Sequence, residues 1–278
     1  MSDINAIEQL SNNIRKHAVM MTSLGQSSHI GSVLSIADIL AVLYGSVLKY
    51  KSSNAKWKKR DRFILSKGHG CLALYAILAD KGFFKLSELD YFCHNEGILG
   101  GHPEKGEVPG IEASTGSLGH GLSLGVGIAL AGRIKQQEYK TIVVTGDGEI
   151  NEGSIWEAAM CAGNHKLESL TVMIDYNKIQ SYGFTEEVAD LDPLDLKWKS
   201  FGFGVLHVDG HDNSALKKSL ESLPIEKNKP SALICHTIKG KGFKFAENKP
   251  EWHHKSSFTD DELKEMHKCL KELNFPAE

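Results

Sequence analysis

Ile4, Ile7, Leu10, Ile14, Ala18 and Met21 recur at three- and four-residue intervals, so the chain opens with a helix carrying one apolar stripe. A second helix is predicted over residues 35–49. A polar, basic loop at residues 52–60 then leads into the short apolar run Arg62-Phe-Ile-Leu-Ser66. Residues 71–78 are apolar on every side, as in a buried helix. Residues 94–121 carry eight glycines and read as irregular structure, and a loop of that length in a compact domain is usually functional. Beyond it the pattern becomes an alternation. Apolar, largely β-branched runs predict strands at 141–145, 170–174, 204–208 and 231–236, with helical segments at 153–165 and 215–223. Strands separated by helices argue for an α/β fold in which a parallel sheet carries helices on both faces. With no internal repeat and no low-complexity linker, residues 1–278 read as a single domain.

Composition narrows the function. Among 278 residues, 32 basic and 35 acidic side chains leave a net charge of −3, which provides no footprint for nucleic acid or an anionic membrane. The longest weakly polar stretch, residues 121–132, is Gly-rich and falls short of the roughly 18–20 residues that cross a bilayer. The first residues lack the basic-then-apolar pattern of a secretory signal. Cys71, Cys93, Cys161, Cys235 and Cys269 form no C-x-x-C pair and suit buried thiols in a reducing cytoplasm, not a disulfide framework or a zinc site.

The strongest chemical signal is Thr145-Gly-Asp-Gly-Glu-Ile-Asn-Glu-Gly153, where a buried strand ends and a helix begins. Ligands of open parallel sheets bind at such carboxyl ends. Gly146 and Gly148 remove side chains, so a bulky anion can approach the backbone near a helix N-terminus. Asp147 is placed to hold a hard divalent cation. Asn177, at the end of the next strand in Asp175-Tyr-Asn-Lys-Ile179, can add an amide oxygen, and a nearby carbonyl can add a third. Oxygen donors from two strand ends, with positions left for phosphate, describe a magnesium-type site. As a bare tripeptide Gly-Asp-Gly is also an ordinary turn; the strand, the helix and the spacing to Asn177 are what lift it above one.

These residues resemble the thiamine-diphosphate motif. Ser28-His-Ile-Gly31, Ser66-Lys-Gly-His-Gly70, Gly101-His-Pro-Glu104, Thr115-Gly-Ser-Leu-Gly-His-Gly121 and Glu251-Trp-His253 resemble, in order, the signatures of transketolases, and the likeness runs from about residue 10 to about residue 265. The resemblance implies a thiamine-diphosphate-binding fold and a reversible transfer of a two-carbon ketol unit, through the cofactor's carbanion, from a ketose or ketose phosphate to an aldose. It implies Asp147, Asn177 and the carbonyl of Ile179 as ligands of Mg²⁺, with Ca²⁺ or Mn²⁺ also suited to the oxygen set. Gly146, Gly148 and Glu149 would belong to the cofactor site, and Gly116, Ser117 and Leu118 would meet its pyrimidine end. His29, His69, His102 and His253 would surround the reacting ring and the sugar, with His69 and His253 also touching the cofactor. Imidazoles suit that work because they take up and return protons near neutral pH. Glu152 matches a glutamate that the family places at the subunit interface, where it shares a proton or a hydrogen-bonded network. His17, His94, His165, His207, His211, His236 and His267 match no such position and read as structural.

Five positions depart from the family pattern: Ser28 stands where Gly is common, Ile30 where Pro is, His120 where Gln is, His254 where Gly is and Tyr176 where the cofactor motif often has the first of two Asn. Full-length members continue into further domains, which carry the glutamate that activates the aminopyrimidine. The expectation is therefore an N-terminal subunit, inactive alone, that pairs with a C-terminal subunit bearing the pyrimidine-binding domain in an α2β2 assembly. A split enzyme specialised for a branched, deoxy or sulfonated sugar is the alternative within thiamine chemistry. A non-catalytic nucleotide-binding module is the alternative outside it; no segment satisfies G-x-G-x-x-G or a P-loop.

Overall fold

The chain is described by a computed structural model over residues 3–25, 29–255 and 257–272. Ser28 lies outside these residues. Five strands, β1 (Arg62–Leu65), β2 (Thr141–Gly146), β3 (Leu170–Tyr176), β6 (Gly204–Asp209) and β7 (Ser231–His236), form one sheet in the order β1-β2-β3-β7-β6. Every pairing is parallel. A two-stranded antiparallel hairpin, β4 (Ile179–Gln180) and β5 (Gly183–Phe184), stands apart from it. All residues of β2 and β3 are buried, as strands covered on both faces must be.

One face of the sheet is covered by α1 (Asp3–Gly25), α2 (Ile30–Ser35), α3 (Ala37–Val42), α4 (Cys71–Asp80), α9 (Asn213–Glu221) and α10 (Asp260–Glu272). The other is covered by α5 (His120–Ile134), α6 (Gly153–Asn164) and α8 (Leu194–Ser200), with a one-turn helix, α7 (Thr185–Val188), between β5 and α8. The α/β architecture expected from the alternating pattern is therefore present. The opening stripe is also as expected, with Ile7, Ile14, Ala18 and Met21 in the core and Ile4 and Leu10 packed against it.

Three expectations change. The helix expected over residues 35–49 begins earlier and is broken: α2 ends at Ser35, Ile36 leaves helical geometry (φ −102°, ψ 3°), and α3 runs into a π-helical turn, Leu43–Val47. Residues 30–44 are buried throughout, so no polar face marks where the helix turns. The Gly-rich stretch 121–132 is helical, and α5 begins inside the segment read as irregular; residues 94–119 hold no helix or strand. Its glycines serve close packing: a Cβ on Gly125 would fall 2.5 Å from Val143 Cγ2, and one on Gly121 2.3 Å from Ser66 Oγ. Finally, only Cys71, Cys235 and Cys269 are buried, while Cys161 is half-buried and Cys93 is exposed on a left-handed turn (φ 58°); all five are free. Among the described residues no helix is long and apolar enough to cross a membrane.

Candidate active site

Gly146 ends β2 opposite Asp175 and β3 runs one residue further, so Asp147 and Asn177, the first residues beyond the two strands, both leave the sheet at its carboxyl edge. Both are buried, at 3% and 4% exposure. Asp147 Oδ1 accepts from the Gly148 N–H at 2.7 Å and Oδ2 from the Lys178 N–H at 2.5 Å. That second bond needs the left-handed backbone at Lys178 (φ 66°), which bends the chain back over Asp147. Asn177 Oδ1 accepts from the Ile179 N–H at 3.1 Å, and the Ile179 carbonyl accepts from Lys239 Nζ at 2.6 Å. The three oxygens expected as metal ligands thus border one cavity.

The charges beneath it are buried. Lys67 pairs with Asp175, and their side chains are 1% and 0% exposed. Burial alone would raise the Asp175 carboxyl, but Lys67 and the Thr237 and Ser35 hydroxyls outweigh it and hold it below the usual range. At Asp147 burial, reinforced by Asp175, pushes the carboxyl up to about 6; the Lys239 charge and the Gly148 and Lys178 N–H groups pull the other way but do not outweigh burial. Lys239 is held down to about 8 by burial, against the pull of Asp147.

Glu149 ties the loops together. One of its oxygens accepts from Ser66 Oγ at the end of β1 and from the Gly119 N–H (2.9 Å), and the other from the Gly146 N–H (3.0 Å). Gly119 sits at φ 84°, which favours glycine, and a Cβ there would fall 2.7 Å from Glu152 Cβ. Through this clamp the last turn of the long loop, the start of α5 and two strand ends are fixed to one side chain.

The cavity has a volume of about 400 Å³ and is bordered by His29, His69, His102, Gly116, Leu118, Gly146, Asp147, Gly148, Glu149, Glu152, Asn177, Ile179 and His253 from the expected set. Ser117 of that set is exposed and lies outside the lining. The imidazoles form a cluster: the His29 ring centre lies 5.1 Å from His69, 5.7 Å from His253 and 4.4 Å from His254, and His69 lies 5.8 Å from His253. Burial, followed by His254 and His102, lowers His29 to about 4. Burial, followed by Lys239, lowers His253 to about 3. Burial likewise takes His69 well below its ordinary value, so these rings are neutral at neutral pH. Glu152 is exposed at the rim. His120 is exposed, with Nδ1 3.0 Å from the Leu118 carbonyl, and it does not border the cavity.

Lys67, Asp175, Lys239 and Ser32 were not singled out from the sequence. Lys67 and Asp175 do stand inside the quoted motifs, and Lys239 follows the end of β7. A larger groove of about 680 Å³ lies at the amino ends of β2 and β3, near Arg133, Lys140 and His165, and contains none of the expected residues. Parallel sheets bind ligands at the opposite, carboxyl edge, where the 400 Å³ cavity sits.

The lining fits a divalent cation with a diphosphate. All three candidate metal donors are hard oxygens, and a cation would add positive charge beside Asp147, whose carboxyl Lys239 alone does not hold down. Gly146 and Gly148 both border the cavity, and without side chains there their backbone can come close to an anion. Ser32 Oγ, Gln180 Nε2 and His253 Nδ1, all on residues of the lining, are buried without a hydrogen-bond partner. A polar ligand satisfies such groups.

Comparison with known proteins agrees with this geometry. Residues 7–274 match the family model described as transketolase, thiamine diphosphate binding domain. The chain is 42% identical over 251 residues to one of the subunits of the apulose-4-phosphate transketolase of Phocaeicola vulgatus, covering 90% of this chain and 89% of that one. It is 43% identical over 225 residues to the SqwG subunit of the 6-deoxy-6-sulfo-D-fructose transketolase of a Clostridium species, covering 81% and 82%. The transketolase of Campylobacter jejuni superposes with a TM-score of 0.88 at 31% identity over 96% of this chain, which spans 42% of that longer protein.

Proposed function

The chain belongs to the transketolase family as its thiamine diphosphate binding domain, and from that premise we propose that it is the N-terminal subunit of a split transketolase that moves a two-carbon ketol unit from a ketose or ketose phosphate to an aldose. The observation that carries the reading is the meeting, in one cavity, of an oxygen donor set with a cluster of neutral imidazoles. Asp147, Asn177 and the Ile179 carbonyl would hold Mg²⁺, and Gly146, Gly148 and Lys239 would receive the diphosphate. Bound thiamine diphosphate supplies the carbon nucleophile and electron sink for cleaving a C–C bond beside a carbonyl.

This chain's residues handle the protons. His29, His69 and His253 do not titrate near neutral pH in this chain alone. Held neutral by burial, they offer ring nitrogens that can hydrogen-bond a sugar hydroxyl, and the negative charge of a bound diphosphate would raise them toward the range in which they take up and return its proton. His102 is exposed at the mouth, where it can hydrogen-bond a substrate hydroxyl. Gly116, Ser117 and Leu118 would meet the pyrimidine end, where a C-terminal subunit must close the site. Glu152, exposed in this single chain, would be covered in the resulting α2β2 assembly. The five free cysteines support placing that assembly in a reducing cytoplasm. A second version, with an unusual branched or sulfonated sugar as substrate, is favoured by the named relatives and by His254, whose ring lies against His29 where the family pattern has Gly.

Thermal unfolding with and without ligand tests the cofactor assignment. Ligand at 100 times its Kd stabilises by about 2.7 kcal/mol, a rise of about 5–11 °C at the 2–4 °C per kcal/mol of a domain this size. Thiamine diphosphate with Mg²⁺ should produce that rise, and Asp147→Ala should abolish it; an unchanged rise in Asp147→Ala would remove Asp147 from the metal site. Affinity purification from the native cell should bring down a stoichiometric C-terminal subunit, and ketol transfer by the isolated chain would overturn the split assignment.

A further inference from the structure

An amide side chain can turn either end of its plane toward a cation, and only the oxygen end binds one. At Asn177 the choice is made by neighbours. Its Nδ2 donates to Asp175 Oδ2 at 3.0 Å and to the Asp175 carbonyl at 3.4 Å, while its Oδ1 accepts from the Ile179 N–H at 3.1 Å. Turning the amide over would set NH₂ against an N–H and a carbonyl oxygen against a carboxylate, so both ends would repel.

Asp175 is itself held from several directions. Oδ2 also accepts from Lys67 Nζ and from Ser35 Oγ (2.7 Å), and Oδ1 accepts from Thr237 Oγ1. Lys67 Nζ is anchored in turn on the Ser32 carbonyl at 3.1 Å. These donors come from α2, from the end of β1 and from the segment after β7, so with β3 itself four pieces of backbone converge on one wholly buried carboxylate. Neither Asp175 nor Lys67 belongs to the hydrophobic clusters that cover the sheet.

We propose that Asp175, fixed by Lys67, is a positioning residue that locks the Asn177 amide with Oδ1 alone facing the metal. The inference rests on the assignment of Asn177 as a metal ligand. Partners that orient a metal ligand are typically worth about 10–100-fold in metal affinity. Asp175 is not among the residues that border the cavity, and its hydrogen-bonded route to the metal site is Asn177, although its charge also bears on Asp147.

The test is Mn²⁺ binding to the full chain in the presence of thiamine diphosphate, followed by electron paramagnetic resonance of the free ion. Four variants are compared: Asp147→Ala, Asn177→Ala, Asp175→Leu and the double variant Asn177→Ala/Asp175→Leu. Leucine is chosen because asparagine would keep an acceptor oxygen for the Asn177 amide. Asp175→Leu should weaken Mn²⁺ about 10–100-fold. In the Asn177→Ala background the same change should cost clearly less, because effects that act through one residue are not additive. Melting temperatures taken without metal separate lost binding from lost fold. If Asp175→Leu does not fold, Lys67→Met/Asp175→Leu, which leaves neither charge of the pair behind, carries the measurement with the same expected loss. A folded Asp175→Leu that binds Mn²⁺ like the parent, or a loss that adds in full to that of Asn177→Ala, overturns the positioning role. Unchanged Mn²⁺ binding in both Asp147→Ala and Asn177→Ala overturns the metal site itself, and the inference with it.

Discussion

Glu149 separates a residue that builds the site from one that only meets a ligand. Sequence motifs group it with the cofactor contacts, yet in the structure its oxygens are engaged by Ser66 Oγ and the Gly119 and Gly146 N–H groups. Glu149 is 2% exposed and Ser66, Gly119 and Gly146 are buried, so removing the carboxylate takes the acceptor from donors that lie away from bulk water. Each buried N–H left without an acceptor costs about 1–3 kcal/mol, so Glu149→Ala should lose about 2–6 kcal/mol from the two backbone donors alone. At about 2–4 °C per kcal/mol, the ligand-free chain should melt at least about 4 °C below the parent in far-ultraviolet circular dichroism. Glu149→Gln should fall between the two. It keeps one acceptor oxygen, but its NH₂ must face the Gly119 or the Gly146 N–H, which leaves one of them unpaired at about 1–3 kcal/mol. A purely ligand-contacting glutamate would leave the ligand-free melt unchanged. A Glu149→Ala chain that melts within about 2 °C of the parent, below the shift expected for even one orphaned donor, would therefore refute the clamp.

The Arg15–Asp38 pair joins α1 to α3 through two bonds of 3.1 and 2.7 Å, and His211 Nδ1 lies 2.7 Å from the same carboxylate. Asp38→Ala leaves a buried guanidinium unpaired and should cost about 3–5 kcal/mol, whereas Arg15→Met/Asp38→Leu should recover most of it; equal melts for the two variants would refute this. Burial alone would raise the Asp38 carboxyl, but Arg15 and His211 hold it well below the usual range, so its stabilisation is complete above the unfolded pKa of about 3.9 and is lost only as pH falls below that. His29 and His253 act at higher pH. Their folded values of about 4 and 3 lie below the ordinary 6.5, so the unfolded chain takes up protons first and stability falls as pH drops below 6.5. His29→Asn/His253→Asn should flatten the melting temperature between pH 6.5 and about 4.5 relative to the parent, and parallel curves would count against buried neutral rings.

Much of this was legible in the chain because the relevant signals are local. β2 and β3 are β-branched runs whose strand ends carry Asp147 and Asn177 within two residues, and parallel pairing of neighbouring strands brings such ends together without further instruction. The first helix and α6 declare themselves by periodicity or by the motif at their start. The break at Ile36 does not, since every residue around it is buried and a pattern without a polar face has no phase to read. The Gly-rich segment 94–119 is irregular as read, and only its end shifts: α5 starts at His120, and its glycines are what let this helix approach Val143 and Ser66.

The buried charges were hidden for a different reason. Lys67 meets Asp175 across 108 residues of sequence, and Lys239 meets the Ile179 carbonyl across 60. A lysine at a strand end is most simply read as solvated, and only the meeting of β1, β3 and β7 at one edge of the sheet takes these away from water. Motif residues name the atoms that would touch a ligand; the charges behind them decide which way those atoms face. That division explains why Asp147 and Asn177 stand out in a short window, whereas Asp175 lies between them in plain view and acquires its role only when three distant donors, Ser35, Lys67 and Thr237, arrive at its carboxylate.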